Sequence, residues 1–438
     1  QEPNGMERKG KIVMDLNQEA LEIHKQHNGK LETIPKAKLS DAHDLSVLYT
    51  PGVAEPCRKI KEDKDLSFEY TCRGNMVAVV TDGTRVLGLG NIGAEAGMPV
   101  MEGKAVLYKV FGAVDAVPIC LDTSDKEKFI ETVRYLQPNF AGINLEDIES
   151  PKCYDIEDAL IEKMDIPVFH DDQHGTAIAC AAALLGALRL VKKDMSKGRI
   201  IANGAGAAGT AIVRLLLSLG AKDIIMLNST GAMYEGMDMA RVNRVQAELL
   251  KETNREKKDG SLAEVAKGAD VLLGVSKADL FTPEIIKSMN ADAIVLAMAN
   301  PNPETSYAAG KEAGAKVVGT GRSDAPNQVN NVLVFPGLFR GAIDVRARKI
   351  NEEMKIAATH AIAELIPDSE LREDYVIPGA FDPNVAPAVA AAVAKAAMET
   401  GVARIQVDPE EVRRNTLQRT KRLRDLMPTI LAKGKATP

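Results

Sequence analysis

The sequence predicts an α/β protein with two parallel-sheet units followed by a helical C-terminal end. Apolar runs of strand length alternate with helical patterns over most of the chain, which is typical of parallel sheets covered by helices. A glycine-rich turn between a predicted strand and a predicted helix opens the second unit. We expect domains at residues 1–160, 161–400 and 401–438, with the first two joined near 150–163.

The glycine turn lies in the segment 198–231, which reads as strand, turn, helix and strand. In such a βαβ unit of about 30 residues, the glycines allow a tight bend, close approach of a pyrophosphate, and packing of helix on strand. The helix N-terminus then presents free N–H groups to the anion. The pattern predicts a Rossmann-type doubly wound parallel sheet that binds a dinucleotide through Gly204, Ala205, Gly206, Ala207, Ala208 and Gly209.

The residue at the end of the second strand of this unit influences whether NAD or NADP binds. Many such sites carry an acidic residue there, which holds the ribose 2′-hydroxyl. This chain has Asn228, followed by Ser229 and Thr230. Since an uncharged end tolerates a 2′-phosphate better than a carboxylate does, NADP is at least as good a candidate as NAD.

The remaining elements follow from periodicity and from Gly and Pro positions. Helices are predicted at 17–28, 100–114 and 176–191, and a loop-rich segment at 39–56. A second glycine cluster, GLGNIG at 88–93, is expected to be a substrate or packing loop, because Gly97 and Pro99 should break the helix that a dinucleotide site needs. Strands are predicted at 76–81, 117–121, 140–145, 166–170, 199–202, 223–227, 271–275, 294–299 and 316–319.

Composition excludes several functional classes. The net charge of −6 argues against nucleic acid or an anionic membrane surface as the main partner. No apolar run reaches the length of a membrane span, and we expect a cytoplasmic protein. The basic stretch RRNTLQRTKRLR at 413–424 is expected to form a solvated or intersubunit helix.

Acidic pairs follow two of the predicted strands: Glu146 and Asp147 after one, Asp171 and Asp172 after the other. Ligands of open α/β sheets collect at the carboxyl ends of strands, and converging carboxylates favour Mg²⁺ or Mn²⁺ between them. Capping of the following helices explains the same residues equally well. Zinc at the two histidines of HDDQH is disfavoured, because no third soft ligand lies nearby.

Four further side chains could take part in chemistry. Lys104 and Lys109 share an apolar helix, where desolvation would lower the pKa of an ammonium toward that of a base; periodicity does not separate the two. Tyr49 lies in a Pro-Gly loop and could donate a proton, although a packed loop aromatic is commoner. Arg85 could hold a substrate carboxylate or form a surface salt bridge.

Taken together, the motifs resemble those of the malic enzyme family, in its shorter bacterial and archaeal form, from about Leu39 to Val345. The motifs are YTPGVAEPC, TDGTRVLGLGNIGAEAGMPVMEGKAVLY, INLEDI, HDDQHGTA, GAGAAG, ANPNPE and GRSDAPNQVNNVLVFPG, in the order of the family. The resemblance implies oxidative decarboxylation of L-malate to pyruvate and CO₂ with NAD(P)⁺ and Mg²⁺ or Mn²⁺, oxaloacetate as a further substrate, and a homodimer or higher homo-oligomer.

The resemblance also implies roles for individual residues. It makes Tyr49 the general acid, Lys104 the general base and Arg85 the clamp for a malate carboxylate. The metal ligands are Glu146, Asp147 and Asp172, with Asp171 beside them as a catalytic residue, and Asn300 and Asn331 lie near substrate and nicotinamide. Asn228 departs from the NAD-using members of the family, many of which carry an acid there.

Two other functions compete with this interpretation. One is a different decarboxylating or amino-acid-type dehydrogenase on similar domains, which would act on another acid and need no metal. The other is a nucleotide-sensing regulatory module, in which the carboxylates only cap helices and the lysine is inert. Formation of NAD(P)H from malate, with and without Mn²⁺, separates the three.

Overall fold

The computed structural model describes residues 16–434 except 87, 239 and 241, with side chains up to residue 426. The first of its two sheets is fully parallel, with the strand order β2-β1-β3-β4. Chain order therefore reverses between β1 and β3, and an open α/β sheet binds its ligands at such a switch point. The strands are β1 (Met76–Thr81), β2 (Asp115–Cys120), β3 (Gly142–Leu145) and β4 (Val168–His170).

The second sheet has six strands in the order β10-β9-β8-β5-β6-β7. All neighbours are parallel except the short β7, which pairs antiparallel with β6. This is the Rossmann order, with its switch point between β5 and β8, as the sequence predicts. The strands are β5 (Arg199–Asn203), β6 (Asp223–Asn228), β7 (Gly231–Ala232), β8 (Val271–Gly274), β9 (Ile294–Ala297) and β10 (Val317–Thr320).

Helices cover both sheets and form the C-terminal end. α16 packs against α14, α15 and α17, which confirms the helical end predicted from sequence. The helices are α1 (Leu16–His27), α2 (Ala42–Leu48), α3 (Ala54–Glu62), α4 (Ser67–Tyr70), α5 (Ala94–Gly112), α6 (Lys126–Tyr135), α7 (Lys152–Lys163), α8 (Thr176–Val191), α9 (Ala207–Ser218), α10 (Arg244–Leu250), α11 (Leu262–Val265), α12 (Pro283–Lys287), α13 (Tyr307–Glu312), α14 (Phe335–Asp344), α15 (Glu352–Ala363), α16 (Val385–Glu399) and α17 (Pro409–Gly434).

The apolar helix α8 is a central element of the core. Its residues Ala177 to Leu184 are all buried. The segment Asp171–Val191 has the length and apolar content of a membrane span, but 67% of its most apolar window lies inside the protein. A core helix of a folded domain has these properties. The expected cytoplasmic location stays a prediction.

Three local expectations were wrong: a loop-rich segment at 39–56, a helix that starts at 100, and a helix break at Gly97 and Pro99. The segment 39–56 contains α2 and the start of α3, and the side chain of Asp41 caps α2 by accepting from the backbone N–H of Asp44 at 2.8 Å. Helix α5 begins at Ala94, and Pro99 lies inside it. Pro99 is the sixth residue of α5 and lacks the N–H that an interior helix position donates, but the helix continues through it. The cluster at 88–93 is nevertheless a loop, as expected.

The region where we expected the two units to join instead lies within the first sheet. Helix α7 connects β3 to β4, and β4 pairs with β3. The sequence signal was ambiguous here, because a three-residue strand is too short to show a period. The domain limits 1–160, 161–400 and 401–438 otherwise stay a prediction.

Two glycine substitutions test the packing of this fold. A Cβ at Gly186 on α8 would meet the carbonyl oxygen of Val376 at 2.0 Å, so Gly186→Ala should lower the free energy of unfolding by about 1–3 kcal/mol. A Cβ at Gly103 on α5 would meet no atom within 4 Å, so Gly103→Ala should raise it by about 0.5–1 kcal/mol. Denaturant unfolding measures both, and equal effects of the two variants would contradict the packing at α8.

Candidate active site

The candidate site lies at the carboxyl edge of the first sheet, around the switch point between β1 and β3. Glu146 and Asp147 directly follow β3, and Asp171 and Asp172 directly follow β4. The turn after β1 brings the backbone N–H of Arg85 to the carbonyl oxygen of Asp147 at 3.0 Å. Parallel pairing therefore places the ends of three strands at one edge, and the sequence predicts this convergence for the two acidic pairs.

Three carboxylates of this edge converge. Glu146, Asp147 and Asp172 each offer one oxygen, and these atoms lie within 4.8 Å of one another. The backbone N–H of Asp147 also donates to Oδ2 of Asp172 at 2.8 Å, which ties the two strand ends together. Helix capping does not explain the acids, because the N-caps of α7 and α8 are Pro151 and Gly175, without side-chain cap bonds.

The charges of this cluster favour a bound cation. Burial raises the pKa of Glu146 to about 7, and the charge of Asp172 adds to the increase although Lys104 opposes it. The pKa of Asp172 is likewise raised by burial and by Asp171. Carboxylates that cannot all ionise beside one another become stable anions when a cation lies between them. A set of oxygen donors alone suits Mg²⁺ or Mn²⁺, so the residues fit the implied metal.

The structure separates the two candidate lysines. Lys104 is buried, and its Nζ lies 2.5 Å from Oδ2 of Asp171 and 2.9 Å from Oε1 of Glu146. The ring of Phe335 lies beneath it, with its centroid 4.3 Å from Nζ. Lys109 is half-exposed and pairs with Asp115 at 2.6 Å. Only Lys104 therefore belongs to the acidic cluster.

The expected direction of the lysine pKa was wrong for this arrangement. Burial alone would lower the pKa of Lys104, but the charges of Asp171 and Glu146 outweigh burial and raise it. Sequence periodicity shows the apolar helix but not these partners, which come from other strands. Burial also raises the pKa of Asp171 to about 7, against the opposing effect of Lys104.

Asp171 is held from both units. Asn331, which follows the second sheet in the chain, donates a hydrogen bond from Nδ2 to Oδ2 of Asp171. Gly175 leaves room for the same carboxylate, since a Cβ there would lie 1.9 Å from Oδ1 of Asp171. Asn331 thus reaches the acidic cluster, and its implied place near substrate and nicotinamide stays a prediction.

Two residues that sequence reasoning missed support Glu146. The hydroxyl of Tyr108 donates to Oδ1 of Asn144 at 2.8 Å, and Nδ2 of Asn144 donates to Oε2 of Glu146 at 2.8 Å. Tyr108 and Asn144 are fully buried. The available signal was an asparagine in the otherwise apolar strand GINL, because a buried amide needs hydrogen-bond partners.

Arg85 and Tyr49 lie outside the buried cluster. The side chain of Arg85 is exposed, but its charge is near enough to Asp172 to oppose the increase in the pKa of that carboxyl. Tyr49 follows the last residue of α2 and is 67% exposed. Its hydroxyl bonds to none of the residues that the structure describes. The structure therefore does not bring Tyr49 into the hydrogen-bond network of Lys104.

The glycine turn has the geometry of a dinucleotide site. Gly204 has φ +123°, and a Cβ at Gly209 would lie 1.7 Å from the carbonyl oxygen of Gly204. Gly206 precedes α9 as a cap without a side-chain bond, and a Cβ there would point into open space. The first and third glycines therefore close the turn on itself, and the second leaves room for a phosphate above free N–H groups.

The other two predicted cofactor residues frame this edge of the second sheet. Oδ1 of Asn228 accepts from the backbone N–H of Thr230 at 2.9 Å and from its hydroxyl at 2.7 Å. The side chain of Asn300 lies over Gly321, where a Cβ would meet its Oδ1 at 3.2 Å. Gly88, in the loop of the first unit, lies close to the Asn300 carbonyl, since its Cβ would be 3.6 Å away.

The fold and the site define a two-unit oxidoreductase with a Rossmann sheet for a dinucleotide. A sequence model of the malic enzyme N-terminal domain matches residues 28–129, and one of the malic enzyme NAD-binding domain matches residues 173–398. The chain belongs to the malic enzyme family.

Individual relatives agree with the family assignment. The chain is 60% identical to the bifunctional malic/malolactic enzyme of Bacillus subtilis, over 93% of this chain and 99% of that protein. It is 47% identical to the NADP-dependent malic enzyme of Escherichia coli, over 89% of this chain and 53% of that longer protein. The crystal structure of malic enzyme from Pyrococcus horikoshii superposes with a TM-score of 0.92 at 46% identity, covering 96% of this chain and 99% of that one.

The acidic cluster predicts a metal-dependent gain in stability. Mn²⁺ should raise the melting temperature of the wild type, because a ligand at 100 times its Kd stabilises the folded state by about 2.7 kcal/mol. Asp172→Asn should lose most of this gain, since it removes one of three converging carboxylates. Asp158→Asn, on the exposed side of α7, is the control. Thermal unfolding with and without Mn²⁺ measures the effect, and an equal gain in both variants would contradict the site.

Proposed function

We propose that the protein oxidatively decarboxylates L-malate to pyruvate and CO₂, reduces NAD(P)⁺ and requires Mg²⁺ or Mn²⁺. The observation that supports this proposal is the buried Lys104–Asp171 pair beside three converging carboxylates, in a chain with a Rossmann sheet. Glu146, Asp147 and Asp172 would hold the cation, and the turn from Gly204 to Gly209 would hold the pyrophosphate. The bound cation supplies positive charge to the C2 oxygen, and the dinucleotide supplies the hydride acceptor.

Lys104 is the proposed general base for the C2 hydroxyl of malate. Oδ2 of Asp171 lies 2.5 Å from Nζ of Lys104 and holds this nitrogen in position in the site. Glu146 is both an anionic partner of Lys104 and a proposed metal ligand. A cation held by Glu146 would take up part of the charge of this carboxylate, so Glu146 would stabilise the ammonium of Lys104 less and the pKa of Lys104 would be lower.

Substrate orientation and the final proton involve the more exposed residues. The charge of Arg85 acts on Asp172, where it opposes the increase in the pKa of that carboxyl, and its planar pair of N–H donors suits a malate carboxylate. Asn331 is already bonded to Asp171, so it would reach substrate from the second unit, and Asn300 lies at the edge between the two units. Tyr49 is the proposed acid that protonates C3 of the enol product.

The choice between the two dinucleotides rests on Asn228. Its side chain accepts two hydrogen bonds from Thr230, and it carries no charge that would repel a 2′-phosphate. We infer that NADP⁺ is used at least as well as NAD⁺. Since the relatives include enzymes named for either cofactor, the ratio of kcat/KM for the two decides the question.

We further infer that the protein works as a homodimer, or a higher homo-oligomer, through its N-terminal segment. None of the residues of α1, α2 and α3 is buried. Among the described residues, eleven of nineteen exposed large apolar side chains lie between Leu16 and Val53. A surface of this kind is typical of a protein interface. Tyr49 lies on it, so we infer that Tyr49 serves the active site of the partner subunit.

Turnover of malate tests the function directly. NAD(P)H should form from malate with Mn²⁺ and not in chelator, because the charge at the C2 oxygen then has no stabiliser. Lys104→Ala should lose nearly all kcat, and Lys109→Ala should retain it, since Lys109 is bonded to Asp115 outside the cluster. Full activity in chelator would refute the metal role, and loss in Lys109→Ala alone would refute the assignment of the base.

Two further reactions need a different measurement, because neither produces net NAD(P)H. Oxaloacetate needs no hydride step, so the cation and acid should suffice for its decarboxylation. The Bacillus subtilis relative is named a bifunctional malic/malolactic enzyme. A malolactic conversion in this chain would return the hydride to bound pyruvate, and lactate would then accumulate without net NAD(P)H.

A mixture of two inactive variants tests the role of Tyr49. Tyr49→Phe and Lys104→Ala, co-expressed with equal yield, form heterodimers in half of the molecules. If Tyr49 acts in the partner subunit, each heterodimer has one intact site, and activity returns to about a quarter of wild type. Each homodimer alone is the control. No recovery, with heterodimers present, would place Tyr49 in the site of its own chain.

A further inference from the structure

Glu157, a buried carboxylate on α7, lies outside the acidic cluster and has no role in the mechanism above. Its side chain accepts from the backbone N–H of His170 at 3.0 Å and from Nε2 of Gln173 at 2.9 Å. It is also 3.0 Å from Nε2 of His174. The residue is 4% exposed, and these three hydrogen-bond partners lie on the segment that carries two of the active-site acids.

The three residues that contact Glu157 flank Asp171 and Asp172 along the chain. His170 ends β4, and Gln173 and His174 lie in the π-helical turn Asp171–Gly175. Helix α7 itself follows the strand end that carries Glu146 and Asp147. Glu157 therefore connects the element after one acidic pair to the turn that contains the other.

The contact between Lys355 and His174 determines the direction of the hydrogen bond from His174 to Glu157. Nζ of Lys355 on α15 lies 3.2 Å from Nδ1 of His174. An ammonium can only donate, so Nδ1 accepts and Nε2 carries the proton that is donated to Glu157. Glu157 thus receives three donors: a backbone N–H, an amide N–H and an imidazole N–H. Only a carboxylate accepts all three without presenting a donor of its own.

We propose that Glu157 is a positioning residue, which sets the turn Asp171–Gly175 so that Asp172 joins Glu146 and Asp147 around a divalent cation. This inference rests on the proposed function, because it assumes that the three carboxylates bind a metal. Partners of metal ligands commonly change metal affinity by about 10–100-fold when they are lost. Glu157 acts one bond further out, through the backbone and side chains of the turn.

Glu304 provides a matched control in the other sheet. It is fully buried, and its two oxygens accept from the backbone N–H groups of Ser276 at 2.8 Å and Ala299 at 3.0 Å. These residues follow β8 and β9, so Glu304 supports the edge of the second sheet. Glu304→Gln disturbs a buried carboxylate of the same type without touching the turn after β4.

Binding of Mn²⁺ alone, in the absence of malate and dinucleotide, tests the proposal. Free Mn²⁺ is measured by electron paramagnetic resonance with the full-length wild type, Glu157→Gln and Glu304→Gln. The amide of Glu157→Gln places an N–H₂ group among three donors, so the turn must shift. We expect Glu157→Gln to raise the Kd for Mn²⁺ by about 10-fold, the lower end of the range for direct partners, and Glu304→Gln to leave it at the wild-type value.

The outcomes separate the proposal from the function on which it rests. Wild-type affinity in Glu157→Gln would overturn the positioning role and leave the proposed function intact. Absence of Mn²⁺ binding in the wild type would overturn the metal site itself. If Glu157→Gln does not fold, Gln173→Met removes one donor while two still satisfy Glu157. A Kd for Mn²⁺ equal to that of the wild type in Gln173→Met would likewise overturn the positioning role.

Discussion

The buried ammonium of Lys104, held between Asp171 and Glu146, is the interaction on which the site depends. Its Nζ lies within 3 Å of both carboxylates, and neither side chain is exposed by more than a few per cent. Removing a charge from water costs free energy. The buried ammonium and the two buried carboxylates are therefore stable only when all three groups are present. Without the lysine, two buried carboxylates would face each other, and one would have to take up a proton.

This arrangement links proton transfer to metal binding through one residue. Glu146 contacts Lys104, belongs to the set of converging carboxylates and receives a hydrogen bond from Asn144. A change in the charge around Glu146 therefore changes the pKa of Lys104. The second unit takes part through Asn331, which donates to Oδ2 of Asp171, the same oxygen that contacts the lysine. The position of the base thus depends on both sheets.

Local features of the chain could be predicted from sequence, and contacts between distant segments could not. The turn at Gly204 and the acids after β3 and β4 follow from short-range pattern, because glycine conformation and strand ends are local properties. The pKa of Lys104 was expected to be lowered and is raised, because it depends on contacts between distant segments. Glu146 and Asp171 are 42 and 67 residues further along the chain. Glu157 gave no signal, because a glutamate in an amphipathic helix is ordinarily exposed.

The candidate site combines two kinds of positioning. Lys104 and the acids lie at strand ends and on a packed helix, where burial and hydrogen bonds fix each side chain within a single chain. Tyr49 lies in a segment whose helices bury no residue, so its own chain does not fix it. A proton donor must come within hydrogen-bond reach of the carbon or oxygen it serves. If the partner subunit orders this segment, assembly becomes a condition for protonation but not for metal binding, so the two steps depend differently on protein concentration.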